Sequence, residues 1–179
     1  MFIIKKTPLE GVLILTPKIF TDERGKFFTA MDSNFSEKSL LTNFMQHSHS
    51  ISKSGVIRGL HYQYPEEQTK LVRVVSGESF DVIVDIRSSS KNFGKWYSVK
   101  LNNRNRKQVF IPKGFAHGYM ALEDETEIIY ALGANYLPDS QHTIKWNDPD
   151  IGIAWPKGYE ISVSKRDCEG KRLKALLKL

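Results

Sequence analysis

The clearest pattern along the chain is a series of short runs rich in β-branched and aromatic residues, separated by Gly, Pro, Asn, Asp or Ser. Runs with such boundaries are typical of β-strands joined by tight turns. Helical periodicity is confined to residues 34–44 and 168–179. The pattern therefore predicts an all-β protein, an antiparallel sandwich or barrel with a minor C-terminal helix. The predicted strands span residues 11–17, 25–31, 55–63, 70–77, 79–86, 95–101, 107–112, 118–122, 127–136 and 142–147.

Turn residues refine this prediction. Ser76 and Gly77 are expected to form a tight turn between two strands. Pro112 suits a strand end, where its missing N–H costs least. No repeat, low-complexity segment or linker composition interrupts residues 1–179, so we expect one domain.

Composition narrows the class of protein. The chain has 179 residues, 40% hydrophobic and 26% charged, which is typical of a soluble globular protein. A single cysteine, Cys168, excludes an internal disulfide framework and a multi-cysteine zinc site. The apolar run at the N-terminus is too short for a signal peptide, and no stretch is long enough to span a bilayer. We therefore expect a cytoplasmic protein that does not bind a membrane.

The net charge of +6 leaves three interpretations. The simplest is a lysine-rich solvated surface that ends in a basic tail. Nucleic-acid binding is disfavoured because aromatic residues are not interleaved with the basic clusters. A pocket for a small phosphorylated ligand is the third, and the motifs described next favour it.

One histidine is unexpected where it stands. His61 lies in the apolar run 55–63, where packing alone predicts Val or Ile, and Arg58 and Lys70 are close in sequence. His117 lies between Gly114 and Gly118, a setting that suits a ligand pocket at the mouth of a barrel. Taken singly, each has an ordinary structural explanation, such as a core histidine or a capped loop. The full set of candidates is Arg24, Arg58, His61, Lys70, His117, Tyr130, Tyr136 and Asp167.

Together these residues indicate one kind of chemistry. A neutral histidine held by a carboxylate can remove a proton from carbon, and a lysine or second imidazole can stabilise the resulting oxyanion. A tyrosine can return a proton from another direction. Proton abstraction beside a carbonyl needs this set and no metal. Acyl transfer is disfavoured because no serine lies in a G-x-S-x-G elbow and Cys168 has no neighbouring histidine in sequence.

A metal site is the main competing hypothesis. The sequence His-Ser-His at residues 47–49 and the spacing of Pro112, Gly114 and His117 resemble parts of metal-binding cupin motifs. Around His61, however, the order is H-x-Q, and the position of the expected glutamate lies beside Lys70. A cation next to the metal position argues against a metal, so no metal and no cofactor are expected.

Several longer stretches closely resemble the nucleotide-sugar 3,5-epimerases typified by dTDP-4-dehydrorhamnose 3,5-epimerase, a cupin-like jelly-roll family. The resemblance runs from about residue 20 to residue 167. The stretches that carry it are FTDERGKF, GVIRGLHYQ, KLVRVVSGESFDVIVDIR, FGKW, FIPKGFAHGY and IKWNDPDIGIAWP. It implies a cupin-like jelly-roll barrel and a homodimer, in which the N-terminal strands cross to the partner.

The resemblance also implies roles for the candidates. His61 is similar to the catalytic base of the family, with Asp167 as its carboxylate partner, and Tyr130 to the acid on the opposite face. Lys70, assisted by His117, is similar to the group that stabilises the enolate oxygen. The resemblance further implies that Arg24 and Arg58 hold the diphosphate and sugar and that Tyr136 stacks on the base. Since strict alternation would place Arg58 and His61 on opposite faces, we infer a bulge or twist at Gly59.

The chain departs from the family where thymidine-binding members hold the nucleotide. Thr29 replaces a glutamate, Gln46-His47-Ser48 replaces Q-D-N or Q-E-N, and Gln141 replaces the glutamate five residues after the stacking tyrosine. These changes slightly favour a GDP-linked 4-keto sugar, such as a 6-deoxy-heptose for a surface polysaccharide or capsule. The alternative is a dTDP-linked sugar, as most of the family uses.

The sequence thus predicts a cofactor-independent isomerase that inverts carbon 3, carbon 5 or both in a nucleotide-diphosphate 4-keto sugar. One rival is a ketoisomerase of the same fold, which moves the carbonyl instead. Another is a jelly-roll sugar-binding module without turnover. The intact set of His61, Lys70 and Tyr130 counts against that module, because binding alone has little need of it.

Overall fold

The structure is a computed structural model that describes residues 2–32 and 43–178. Strands dominate these ranges, and the all-β fold class is confirmed. The strands are β1 Phe2–Lys6, β2 Leu13–Pro17, β3 Phe20–Asp22, β4 Gly25–Phe27, β5 Gln46–Ser52, β6 Val56–Gln63, β7 Lys70–Ser76, β8 Glu78–Asp85, β9 Trp96–Asn102, β10 Gln108–Ile111, β11 Phe115–Ala121, β12 Thr126–Leu132, β13 Gln141–Thr143 and β14 Ser162–Val163. An α-helix, α1, spans Lys165–Cys168, and 3-10 helices span Pro138–Ser140 and Leu173–Lys178.

The strands form two main sheets and one small hairpin. Sheet I has the order β1-β2-β10-β7-β12-β5, and sheet II has the order β13-β6-β11-β8-β9, with β14 parallel to β6. The hairpin pairs β3 with β4. Side chains from both main sheets share one buried core, as Val72 and Val109 of sheet I and Ile83 of sheet II illustrate. The sheets therefore pack face to face as a sandwich.

The outer face of sheet II is also covered. Val82 and Ala116 of this sheet pack with Ile144, Ile151 and Leu173 from the last third of the chain. This packing explains why strands such as β8 and β11 are apolar on both faces. It also lays the C-terminal segment across β6, which is the strand that carries His61.

Most strand predictions hold, with errors at the ends. Gly77, with φ +73, forms the predicted turn between β7 and β8. Pro112 follows the last residue of β10, as predicted. The strands predicted over 25–31, 127–136 and 142–147 are shorter in the structure. Strand β5 was not predicted, because its sequence QHSHSIS lacks the apolar alternation that marks a strand.

The helix predicted over 168–179 is present only in part, as the 3-10 helix Leu173–Lys178, and its predicted start is wrong. Helix α1 ends at Cys168, and the backbone of Lys171 then bonds to Thr143 and Lys145. Backbone bonds to a neighbouring segment thus replace the helical bonds that the periodicity suggested. The other predicted helix, residues 34–44, lies mostly outside the described residues. In the part of the chain that is described, no helix is long and apolar enough to cross a membrane.

Candidate active site

A cavity of about 400 Å³ opens between the two sheets. All predicted site residues except Asp167, Arg24 and Thr29 line it. Sheet I contributes residues of β5, β7 and β12, and sheet II contributes residues of β6 and β11. The lining consists of Gln46, Ser48, Ser50, Arg58, His61, Gln68, Lys70, His117, Gly118, Tyr119, Tyr130, Leu132, Tyr136 and Gln141.

A bulge in β6 places Arg58 and His61 on the same face. His117 pairs with His61 and Tyr119 pairs with Arg58, so two steps along β11 match three along β6. Gly59 has φ +126, and a Cβ there would lie 2.6 Å from the Cα of Gly118. Because only glycine fits such a position, the bulge requires it. The irregularity inferred at Gly59 is therefore confirmed.

His61 and Asp167 form a hydrogen-bonded pair, in which Asp167 is buried and the His61 side chain is 29% exposed. The Nε2 atom of His61 lies 2.6 Å from Oδ1 of Asp167, and the other carboxylate oxygen accepts a hydrogen bond from the Gly59 N–H at 3.1 Å. Asp167 lies in α1, where Ser164 is the N-cap and accepts a bond from the Asp167 N–H. This arrangement favours the tautomer with hydrogen on Nε2, which leaves Nδ1 free to accept a proton.

The charge state of this pair follows from burial and hydrogen bonding. Burial lowers the pKa of His61, and Asp167 opposes this effect without reversing it. Burial raises the pKa of Asp167, but hydrogen bonds from His61 and Gly59 outweigh this and hold that pKa below its usual value. At neutral pH the pair is consequently an imidazole beside a carboxylate, which is the form that a general base requires.

Lys70 presents a buried cation to the same cavity. It begins β7 in sheet I, is 7% exposed, and its Nζ donates a hydrogen bond to the backbone oxygen of His61 at 3.1 Å. Burial lowers its pKa to about 8, although the negative charge of Asp81 acts in the opposite direction. Burial therefore destabilises the charged form of Lys70, and an anion bound in the cavity would stabilise it.

His117 is held by Asp81, a residue that the sequence reasoning missed. The Nε2 atom of His117 lies 2.8 Å from Oδ1 of Asp81, and both side chains are buried. Asp81 is an acidic residue in the middle of the apolar strand β8, a signal that the sequence offered. It orients His117 and partly balances the charge of Lys70.

Tyr130 lies on the opposite wall from His61. It belongs to β12 of sheet I, and its hydroxyl lies 3.3 Å from Oγ of Ser50. Its ring meets that of His117 edge to face, with centroids 6.1 Å apart. Burial, and then the neighbouring Tyr119, raise the pKa of Tyr130 well above its ordinary value. Tyr130 is therefore a protonated hydroxyl that faces the base across the cavity.

The remaining predicted residues lie in two places: some line the cavity, and Arg24 and Thr29 lie in or just after the β3–β4 hairpin. Gln46 accepts a hydrogen bond from the Tyr136 N–H at 2.7 Å and donates one to Ser48 at 3.0 Å. The structure does not bring Arg24 or Thr29 to the cavity. Arg24 lies in the β3–β4 turn, where its guanidinium pairs with Asp22.

Five further lining residues were not predicted as site residues: Ser50, Gln68, Gly118, Tyr119 and Leu132. Ser50 lies on β5, the strand that was missed. Arg166, which precedes Asp167 in sequence, was also not predicted. It lines a second cleft with Arg58, His61 and Asp167.

The two histidines of the His-Ser-His motif point away from the cavity. His47 and His49 are exposed, whereas Gln46, Ser48 and Ser50 between and beside them face inward. His49 lies 3.1 Å from Glu127 on the outer surface. Within residues 2–32 and 43–178, no group of three or more His, Cys, Asp or Glu side chains is placed to hold a metal ion.

The chain is similar to curated and structurally characterised proteins over nearly its whole length. Residues 6–175 match the family described as dTDP-4-dehydrorhamnose 3,5-epimerase. The dTDP-4-dehydrorhamnose 3,5-epimerase of Methanothermobacter thermautotrophicus is 45% identical over 172 residues, which cover 94% of this chain and 93% of that protein.

Solved structures agree with this assignment. A dTDP-6-deoxy-D-glucose-3,5-epimerase from Legionella pneumophila, in complex with dTDP-4-keto-L-rhamnose, superposes with a TM-score of 0.92 at 40% identity, covering 97% of this chain and 94% of that one. A 3'-monoepimerase from Streptomyces bikiniensis, in complex with dTDP-quinovose, gives 0.90 at 29% identity, covering 96% and 88%. The sandwich described above is thus the cupin-like jelly roll that was predicted. The chain belongs to the dTDP-4-dehydrorhamnose 3,5-epimerase family and is an isomerase.

Proposed function

We propose that the protein epimerises a nucleotide-diphosphate 4-keto sugar through an enolate. The observation that carries this proposal is the placement of His61 and Tyr130 on opposite walls of one cavity, with Lys70 beside His61. Inversion of a carbon centre needs a base on one face and an acid on the other. A ketoisomerase or a binding module has no such requirement.

The proposed reaction has two proton transfers. Nδ1 of His61 removes a proton from the carbon beside the ketone, and the electron pair of the C–H bond moves to the carbonyl oxygen. The ammonium of Lys70 and the imidazole of His117 stabilise the enolate oxygen. The hydroxyl of Tyr130 then donates its proton to the same carbon from the other face, and the ketone re-forms. Proton exchange with water returns both side chains to their starting forms.

We propose that this chemistry needs no metal or cofactor. The buried ammonium of Lys70 supplies the positive charge that a metal would otherwise bring to the enolate. Enzyme treated with EDTA and then dialysed is expected to keep its full activity. A loss that is restored by a divalent cation would contradict this part.

For the nucleotide, we propose dTDP, because the similar proteins are named for dTDP-linked sugars. The GDP hypothesis rests on Thr29, His47, Ser48 and Gln141, and neither Thr29 nor His47 lines the cavity. Calorimetric titration with dTDP, UDP and GDP in the same buffer separates the two. Tighter binding of GDP by about tenfold, which corresponds to about 1.4 kcal/mol, would favour the GDP-linked sugar.

Deuterium uptake tests the reaction directly. The enzyme is incubated with dTDP-4-keto-L-rhamnose in D₂O, and mass spectrometry counts the incorporated deuterium while NMR assigns it to carbon 3 or carbon 5. Exchange with inversion at one or both carbons is expected. A new position of the carbonyl would identify a ketoisomerase, and the absence of exchange with dTDP- and GDP-linked 4-keto sugars would indicate a binding module.

Two variants separate the base from the acid. His61→Asn should abolish exchange at both carbons, since loss of a general base costs about 10²–10⁴ in rate. Tyr130→Phe should still exchange deuterium but fail to invert, because the opposite-face donor is gone. Residual exchange near the parent rate in His61→Asn would move the base to another residue, with His117 the nearest candidate.

We also propose that the protein is a homodimer. The β3–β4 hairpin is exposed at every residue, and Phe20 and Phe27 are 45% and 71% exposed. Isolated two-stranded hairpins are marginally stable, so an additional packing surface is expected here. Among the described strands, β1 is the last in the order of sheet I, and this edge offers a pairing site. A monomer in sedimentation velocity at micromolar concentration would contradict the proposal.

A further inference from the structure

A continuous row of hydroxyl groups connects Arg58 to Tyr130. Oγ of Ser52 lies 2.8 Å from the Tyr119 hydroxyl, which lies 3.1 Å from Oγ of Ser50, and that atom lies 3.3 Å from the Tyr130 hydroxyl. At the far end, Nε of Arg58 donates to Oγ of Ser52 at 3.1 Å. The row alternates between the sheets, with Arg58 and Tyr119 in sheet II and the other members in sheet I. Ser52 and Tyr119 are 4% and 1% exposed.

The arginine at the end of the row fixes one direction. Arginine has no acceptor, so Ser52 accepts from Arg58, whereas either atom could donate in the other three contacts. One consistent arrangement has Ser52 donating to Tyr119 and Tyr119 donating to Ser50. Ser50 in turn donates to Tyr130. Tyr130 then accepts a hydrogen bond, and its own hydrogen is left for the cavity.

We propose that Ser52, Tyr119 and Ser50 are positioning residues that direct the proton of Tyr130 towards the substrate. The row begins at a permanent cation, and hydrogen bonds arranged in series polarise one another. It therefore also stabilises the tyrosinate that remains after Tyr130 has donated its proton. This inference rests on the proposed function, since it assigns a task to residues behind the proposed acid.

Loss of the Tyr119 hydroxyl would interrupt the row, so that Arg58 would no longer set the direction of the last hydrogen bond. Ser50 would then have Tyr130 as its hydroxyl partner among the described residues, and either group could donate to the other. When Tyr130 donates to Ser50, its proton is turned away from the enolate. Proton abstraction by His61 continues on the other wall, so the carbon exchanges with solvent but returns to its original configuration more often.

The test compares Tyr119→Phe with the parent for deuterium exchange and for inversion, using dTDP-4-keto-L-rhamnose in D₂O. Tyr119→Phe should lower the inversion rate about tenfold, a fraction of the 10²–10⁴ expected for loss of the acid itself, while exchange stays within about threefold. Tyr97→Phe is the matched control, because Tyr97 packs against the same core and is outside the row. Its inversion and exchange should equal those of the parent.

A second pair of variants guards against misfolding. Ser50→Ala should reproduce the effect of Tyr119→Phe, and Ser50→Thr, which keeps the hydroxyl, should restore inversion. If the parent inverts the sugar and both Tyr119→Phe and Ser50→Ala keep its ratio of inversion to exchange, the positioning role is refuted and the proposed function stands. If the parent neither exchanges nor inverts any dTDP- or GDP-linked 4-keto sugar, the proposed function fails and the inference fails with it.

Discussion

Replacement of Lys70 by methionine should make the protein more stable and less active. Burial lowers the pKa of Lys70 from 10.5 to about 8. Since one pKa unit corresponds to about 1.4 kcal/mol, the charged side chain destabilises the folded protein by roughly 3 kcal/mol relative to the unfolded chain. Methionine is similar in length and carries no charge, so it removes this penalty.

Part of that gain is lost with a hydrogen bond. Lys70 donates to the backbone oxygen of His61 at 3.1 Å, and such a bond contributes about 1 kcal/mol. The net increase in the free energy of unfolding is therefore expected to be about 2 kcal/mol at neutral pH.

The pH dependence of this difference has a definite sign. Below about pH 8 the lysine is charged in both states, so the folded parent carries the whole penalty. Between pH 8 and pH 10.5 the folded lysine is neutral while the unfolded one is still charged, so the stability of the parent rises with pH. The advantage of Lys70→Met should consequently disappear as the pH approaches 10.5.

Urea unfolding followed by circular dichroism, at neutral pH and near the upper end of this range, measures the difference. Lys53→Met is the control, because Lys53 is exposed, and it should lie within about 0.5 kcal/mol of the parent. Deuterium exchange by Lys70→Met should fall about 10²-fold or more through loss of the enolate stabiliser. A variant less stable than the parent at neutral pH would refute the burial argument, and an unchanged exchange rate would refute the catalytic one.

Other predictions concern the dyad and the bulge. The epimerisation rate should rise as the pH passes the lowered pKa of His61, because His61 must be neutral to act as a base. The rate should fall again as Lys70 loses its proton near pH 8. Asp167→Asn removes the groups that raise the pKa of His61, so the rising limb should move to lower pH while the falling limb stays; a limb that moves upward would contradict the dyad. Gly59→Ala should cost about 2–4 kcal/mol in urea unfolding, because its Cβ would collide with the backbone of β11. Gly25→Ala, with φ +128 and nothing within 4 Å, is the matched control and should lose less.

The sequence predicts apolar strands better than it predicts the strand that lines the cavity. Strands with buried apolar faces, such as β7 and β8, were predicted within a residue or two. Strand β5 was missed because both its faces are polar: Ser48 and Ser50 face the cavity, and His47 and His49 face the surface. Hydrophobic alternation reports burial in a core, and a polar cavity wall gives no such signal. Because both faces of β5 are polar, Ser50 was also not predicted as a site residue.

The position of Asp167 depends on contacts that no local pattern contains. Its pairing with His61 spans 106 residues of sequence and requires the C-terminal segment to lie across β6. Resemblance to the family identified Asp167 as the partner of His61. Helical periodicity did not locate α1, because it predicted a helix that begins at residue 168, where α1 ends. By contrast, the bulge at Gly59 could be inferred before the structure, since the roles implied by the resemblance required Arg58 and His61, three positions apart, to share a face of one strand.

Several energetically costly features lie in the cavity or beside the residues that line it. Lys70 is buried with its pKa lowered, Asp81 has a buried Oδ2 without a hydrogen-bond partner among the described residues, and Gly59 holds a backbone conformation that other residues rarely adopt. A sequence selected only for stability would replace such groups by apolar ones. Lys70 lines the cavity, Asp81 holds the lining residue His117, and Gly59 packs against the lining residue Gly118. Their proximity to one cavity is therefore an argument, independent of any similarity to other proteins, that the chemistry takes place there.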